Sequence, residues 1–295
     1  MRTDFEWPTL AMLLATYVIW ALGTTVLAGV SVWLGIAVTA LAIAQYSSLQ
    51  HEMIHGHPFQ EARLNALIVF PALLPLIPYL RFRDQHLAHH RDSDLTDPFD
   101  DPESNYLAPE TWARLPKVIR VVLNANNTLL GRLLLGPAIG TTVFLADEAR
   151  ALPKDRRVQL GWALHVPAVA IVCLWLWAFS PMSPWAYAAA TYAAMSLLRI
   201  RTFLEHQAHE KTRARTVIID DHGPLSVLFL MNNYHVVHHM HPRVPWYRLP
   251  TLFRANRDRY LRQNEGYFFR SYAEIFRLFL LRRKDPVPHP LRPQG

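Results

Sequence analysis

Cysteine is almost missing from this 295-residue chain, which has only Cys173. Disulfide frameworks and cysteine-ligated zinc or iron–sulfur sites are thereby excluded. The surroundings of Cys173, Ile171-Val172-Cys173-Leu174-Trp175, suit a small apolar packing residue better than a reactive thiol. Charge is also scarce, at 18% of residues against 51% hydrophobic, and glycine numbers only 11, which excludes a disordered or fibrous protein. No Asp, Glu, Lys or Arg occurs from Trp7 to His51 or from Val158 to Leu198. Each run is about twice the ~20 residues that one helix needs to cross a bilayer core. Each therefore reads as a helical hairpin that enters the membrane and returns.

The first hairpin is predicted to descend from Pro8 to about Ala28, turn near Gly29-Val30-Ser31 and return to about Gln50. The second runs from about Gln159 to Phe179, turns at Ser180-Pro181-Met182-Ser183-Pro184 and returns to about Leu198. Neither tip is charged, whereas Arg2, Arg63, Arg81, Arg83, Arg156, Arg157, Arg199 and Arg201 flank the opposite ends. Both tips are expected to face away from the cytoplasm, with both termini inside and the protein in a bacterial inner membrane. The same pattern accounts for the net charge of +7 without nucleic acid, since no soluble basic domain is present. No cleavable signal peptide is expected.

Two shorter charge-free stretches, Leu64–Leu80 with Pro71, Pro75 and Pro78, and Leu133–Ala146, are predicted to be interfacial or re-entrant helices. Arg91–Ser104, rich in Asp and Pro, reads as a polar loop. Leu252–Leu281, mixing Arg with Phe, Tyr and Leu, reads as a surface on the cytoplasmic face. The expected fold is one all-α membrane-embedded domain over residues 1–295, with four transmembrane helices as two hairpins, interfacial helices and a cytoplasmic histidine-rich cap. Residues 1–6 form an N-terminal tail, and 284–295 a Pro-rich C-terminal tail expected to be disordered.

Fifteen histidines stand out against this apolar background. The pattern HxxHH occurs at His86, His89 and His90 and again at His235, His238 and His239, and residues at i, i+3 and i+4 share one helix face. Each segment can thus present three imidazoles to one point, and two such segments in one chain exceed chance placement. His51 and His55, four apart where the first hairpin emerges, add two candidates, and His206 or His209 adds one where the second emerges. Imidazole suits iron, zinc, copper and nickel. Nine ligands are too many for one ion, which implies a dinuclear site.

His51-x-x-x-His55, His86-x-x-His89-His90 and His235-x-x-His238-His239 on a hairpin scaffold resemble the three histidine boxes of the membrane fatty acid desaturase superfamily, over roughly residues 30–260. The resemblance implies two iron ions that activate O2 with two external electrons, to desaturate a fatty acyl or lipid substrate or to hydroxylate or ketolate one. The Arg201–His206 run, Gly223-Pro224-Leu225-Ser226 and Asn233-Tyr234-His235 resemble a bacterial branch of fatty acid desaturases, hydrocarbon oxygenases and rhizopine oxygenases. Carotenoid substrates also fall within the superfamily. The same likeness favours His206 over His209. The His-Pro-Gly-Gly motif of a fused cytochrome b5 is absent, so a separate ferredoxin, rubredoxin or cytochrome is the expected donor.

Other readings accompany these residues. His51-Glu52-Met53-Ile54-His55 also fits the H-E-x-x-H pattern of zinc proteases, although a single zinc employs neither HxxHH segment. A metal transporter requires polar residues through the bilayer depth, where the spans offer little beyond His165. Glu52 is either a partner to a ligand or a solvated acid. Glu205 either fixes a ligand's tautomer or pairs with Arg201 four residues earlier. Asn233 either orients a ligand or metal-bound water, or caps a helix. His57 and His241 read as ordinary polar residues or partners to ligands, His222 as a loop residue, and His165 as a satisfied structural histidine.

Overall fold

The computed structural model describes residues 5–91 and 95–292; the first four and last three residues of the predicted tails, and positions 92–94 of the polar loop, lie outside the described residues. The chain is mostly helical. The helices that matter for the site are α1 (Trp7–Val30), α2 (Val32–Ile54), α3 (Tyr79–Arg91), α4 (Lys117–Asn126), α5 (Leu129–Ala151), α6 (Arg156–Phe179), α7 (Pro184–Thr202), α8 (His235–Met240) and α9 (Tyr272–Phe279). Two short strands, β1 (Ile218–Ile219) and β2 (Phe268–Phe269), pair in parallel beside the helices. Two compact units are present, Met1–Asp84 with Ala138–Leu197 and Gln85–Pro137 with Leu198–Gly295.

Helices α1, α2, α5 and α6 are long and apolar enough to cross a membrane. The reading of Leu133–Ala146 as a short interfacial or re-entrant piece is corrected, because α5 is a continuous helix of 23 residues. Its ends carry charges that the charge-free window had cut away. Arg132 is buried and bonds Asn105, Asn127 and the Asn126 carbonyl. Glu148 is buried and takes a bidentate pair of hydrogen bonds from Arg81 and one from the Trp162 indole. Helix α7, the predicted return arm of the second hairpin, is alanine-rich and is not among the four.

In the first unit, α1 starts with Pro8 in its first turn and passes through a π-helical turn at Gly23–Leu27. It ends where Ser31 adopts extended backbone. The chain then packs α2 against α1 so closely that a Cβ on Gly35 would lie 2.7 Å from Ala28 Cα. Residues 64–80 are not one helix. After Ala62–Ile68 the backbone is irregular until α3, since Pro71, Pro75 and Pro78 remove donors and block helical geometry. Side chains satisfy this stretch, as apolar surroundings demand. The Tyr46 hydroxyl lies 2.7 Å from the Val69 and Pro71 carbonyls, Tyr187 donates to the Leu73 carbonyl and His165 Nε2 to that of Pro75. His165 is thus a satisfied structural histidine.

The second unit is built on Ile218, Tyr234, Val236, Val237, Leu249, Phe253 and Tyr260, all essentially inaccessible. Val236 and Val237 of α8 enter this core, which leaves the i, i+3, i+4 face of the helix to His235, His238 and His239. The C-terminal tail is ordered through Arg292, contrary to expectation. Residues 280–292 run as a strap: Leu130 N–H donates to the Leu280 carbonyl, Lys284 N–H to that of Asn127, Leu107 N–H to that of Val287 and His289 N–H to that of Leu107. Val287 and His289 are buried, and the Arg292 guanidinium pairs with Asp97.

Candidate metal centre

Both HxxHH segments are short helical stretches, and in the second unit their six imidazoles and that of His206 fall in two groups. His89, His206, His235 and His239 each offer a nitrogen within 4.8 Å of the others, and His86, His90 and His238 do the same. His235 Nε2 lies 3.0 Å from His206 Nε2 and 3.1 Å from His239 Nε2, while His90 and His238 meet Nε2 to Nε2 at 3.2 Å. A ring nitrogen has one proton or one lone pair, so His235 Nε2 cannot satisfy both neighbours by hydrogen bonding. Bonds of ~2.1 Å from a first-row ion, at right angles, give ligand separations of ~3.0 Å. The donor set fits a metal on this ground, and the buried His89 Nε2, which makes no hydrogen bond, supports it.

Carboxylates hold the first segment from behind. His86 Nδ1 donates to Glu103 at 2.8 Å and His89 Nδ1 to Asp101 at 2.7 Å. With Nδ1 given to a carboxylate, Nε2 is the ring atom left to ligate a metal. Asp101 is itself fixed by the backbone N–H groups of Thr96 and Glu103. The second segment is held by an amide: His235 Nδ1 donates to Asn232 Oδ1 at 3.3 Å, and Asn232 in turn donates to Glu205, which pairs with Arg201. Glu205 therefore pairs with Arg201 and acts through Asn232, 3.9 Å from His235 Nδ1, rather than on the ring of neighbouring His206. Asp101, Glu103 and Asn232 escaped the sequence reading. Asp and Glu residues closely following an HxxHH segment were the available signal.

The electrostatics follow from these partners. Burial disfavours the charged form of His89, but the Glu103 and Asp101 carboxylates outweigh it and lift its pKa to about 9. Burial and the neighbouring imidazoles of His86 and His89 push His90 down to about 3. Burial and mutual proximity hold His206, His235 and His239 well below the ordinary imidazole value, so these three are neutral and ready to ligate.

The remaining predicted residues fall as follows. In the first unit, His51 lies in the last turn of α2 and His55 just beyond it, their rings edge to face with centroids 5.0 Å apart. Glu52 is buried, with Oε1 3.8 Å from His51 Nδ1, and His57 pairs with Glu6 at 2.8 Å. In the second unit, His209 stays out of both groups and pairs loosely with Glu265 at 3.6 Å. Asn233 donates to the carbonyls of Ile219 and Asp221 and pins the loop before α8. Tyr234, not Asn233, occupies the N-cap of α8. His222 bonds Tyr234, and His241 packs edge-on to Tyr260.

The model of the family described as fatty acid desaturase matches residues 28–271. The chain is also similar to a beta-carotene ketolase of Paracoccus sp. (strain N81106 / MBIC 01143), at 26% identity over 226 residues that cover 74% of each chain. The match includes all three histidine segments and His206, and with it the apolar helices identify a multi-pass membrane protein of oxidoreductase type. The chain belongs to the fatty acid desaturase family.

Proposed function

We propose that this protein is an O2-dependent membrane oxidoreductase that holds two iron ions and desaturates fatty acyl chains of lipid substrates. The observation that carries the reading is the sorting of seven imidazoles into a group of three and a group of four, with no cysteine in either. His51 and His55 are assigned to the group of three on their spacing at the end of α2. His206, rather than His209, serves as the isolated ligand, because it sits with His89, His235 and His239.

When bound, the iron pair supplies the redox chemistry that O2 activation needs and zinc lacks. The chain's own residues prepare for it. Asp101, Glu103 and Asn232 retain protons on Nδ1 and so keep Nε2 as the donor. Apolar helices α1, α2, α5 and α6 hold the protein in a bilayer, from which a lipid-soluble substrate arrives, with both termini on the cytoplasmic side of a bacterial inner membrane. Each double bond consumes one O2, two electrons and two protons, and both oxygen atoms leave as water. The electrons come from a separate ferredoxin, rubredoxin or cytochrome.

A second reading, insertion of oxygen into a hydrocarbon or carotenoid, is favoured by the likeness to the ketolase. Expression in a lipid-rich host under 18O2, followed by mass spectrometry of the lipids, separates the two. Desaturation yields products two mass units lighter with no label, whereas oxygenation yields labelled alcohols or ketones. Elemental analysis with Mössbauer spectroscopy is expected to give two coupled irons per chain. One zinc and no iron would favour the H-E-x-x-H protease.

A further inference from the structure

Lys284 is a cation drawn in from the strap, and its Nζ donates to the backbone carbonyl of His206. Its neighbour Asp285 accepts from the Tyr106 hydroxyl at 2.5 Å, and that hydroxyl accepts from the N–H of Ala208 at 3.0 Å. Two adjacent strap residues are thus tied to both sides of the short segment that carries His206. Arg282, Arg283, Lys284, Asp285 and Pro286 line an open depression of about 400 Å3. Arg282 and Arg283 are exposed there, and Leu281 is 76% exposed beside them. An apolar residue next to a charged rim is the anatomy of a small, transient protein interface.

We propose that this depression is the docking site of the electron donor, an acidic one-electron carrier protein, and that electrons enter the metal centre through Lys284 and His206. The proposal rests on the functional reading above. Electron tunnelling falls steeply with distance, and the strap gives a carrier at the surface a path of one side chain and one hydrogen bond to the peptide of a proposed ligand. Two successive reduced carriers each give up one electron. Together with two protons and the two substrate hydrogens these reduce one O2 to two waters. Arginines on the rim steer a negatively charged carrier and let it leave after each electron, because rim charges act mainly on association rate.

The test uses the full-length protein in nanodiscs and a plant-type [2Fe–2S] ferredoxin as the probe. The double variant Arg282→Glu/Arg283→Glu is compared with Arg259→Glu/Arg262→Glu, a reversal of the same size at exposed positions before Gln263. Calorimetry at low salt is expected to show ferredoxin binding weakened about tenfold in the first and less than twofold in the second. The ratio of ferredoxin-driven to dithionite-driven turnover is expected to fall about tenfold in the first alone. Equal losses in both variants, or an unchanged Kd in the first, overturn the docking site. Ferredoxin binding that survives while retention in anionic nanodiscs is lost overturns it too and makes the patch lipid-facing. Failure of the wild type to turn over with dithionite sinks the oxidoreductase reading instead, and the binding measurement remains a separate test of the surface.

Discussion

The two HxxHH segments share a spacing but not a support. The 86–90 segment is backed by carboxylates, Glu103 and Asp101, and the 235–239 segment by Asn232, whose own charge partner, Glu205, is one residue further removed. The consequence appears in His89 and His235, which sit in the same group of four. His89 is driven up to about 9 and His235 well below the usual imidazole range. An identical motif therefore does not impose an identical electrostatic state; the residues behind it do.

The comparison breaks most completely when the imidazoles themselves go. His238→Ala and His239→Ala are both expected to lose turnover below detection. Mössbauer spectra are expected to differ, with each variant losing the iron of its own group. Loss of both irons in both variants would show that the groups are not separable. Removing the supports separates the segments more finely. Asp101→Ala is expected to weaken iron binding by about 10–100-fold, and Asn232→Ala by less than about tenfold, in competition with a chelator.

Acidity sharpens the contrast. In the metal-free protein His89 carries a proton below about pH 9, whereas His206, His235 and His239 do not. Metal entering the group of four must displace that one proton, so apparent affinity is expected to rise about tenfold per pH unit up to about 9 and then level off. Calorimetry in buffers of different ionisation enthalpy counts the proton, and Asp101→Asn, which removes a carboxylate that raises His89, is expected to reduce it. The smallest effect is expected from deletion of residues 286–295. Amide exchange over residues 95–108 is expected to quicken about tenfold, equivalent to ~1.4 kcal/mol, while α8 keeps its protection.

The clustering of the histidines was legible because imidazoles at helical spacing are rare and conspicuous. Their supports were not, since Asp101 and Glu103 belong to a loop in which no period marks which carboxylate turns inward. Helix α5 was underestimated because a charged residue was taken to end a membrane helix. Arg132 donates to three asparagines and Glu148 pairs with Arg81, and a charge whose hydrogen bonds are made does not stop a helix from continuing. The strap was missed for a related reason: proline excludes regular structure, but the Leu107 and Val287 backbones bond each other without it.

The strap also bears on the order of manufacture. Ribosomes release the chain from its N-terminus, and α1 and α2 are available to the membrane long before Arg292 is added. The loop holding Asp101 and Glu103 is fastened by residues 287–292, and the segment carrying His206 by Lys284. A nascent chain therefore carries His86 and His89 before the residues that fasten the loop behind them, and the support of that segment is complete only once the strap has been made.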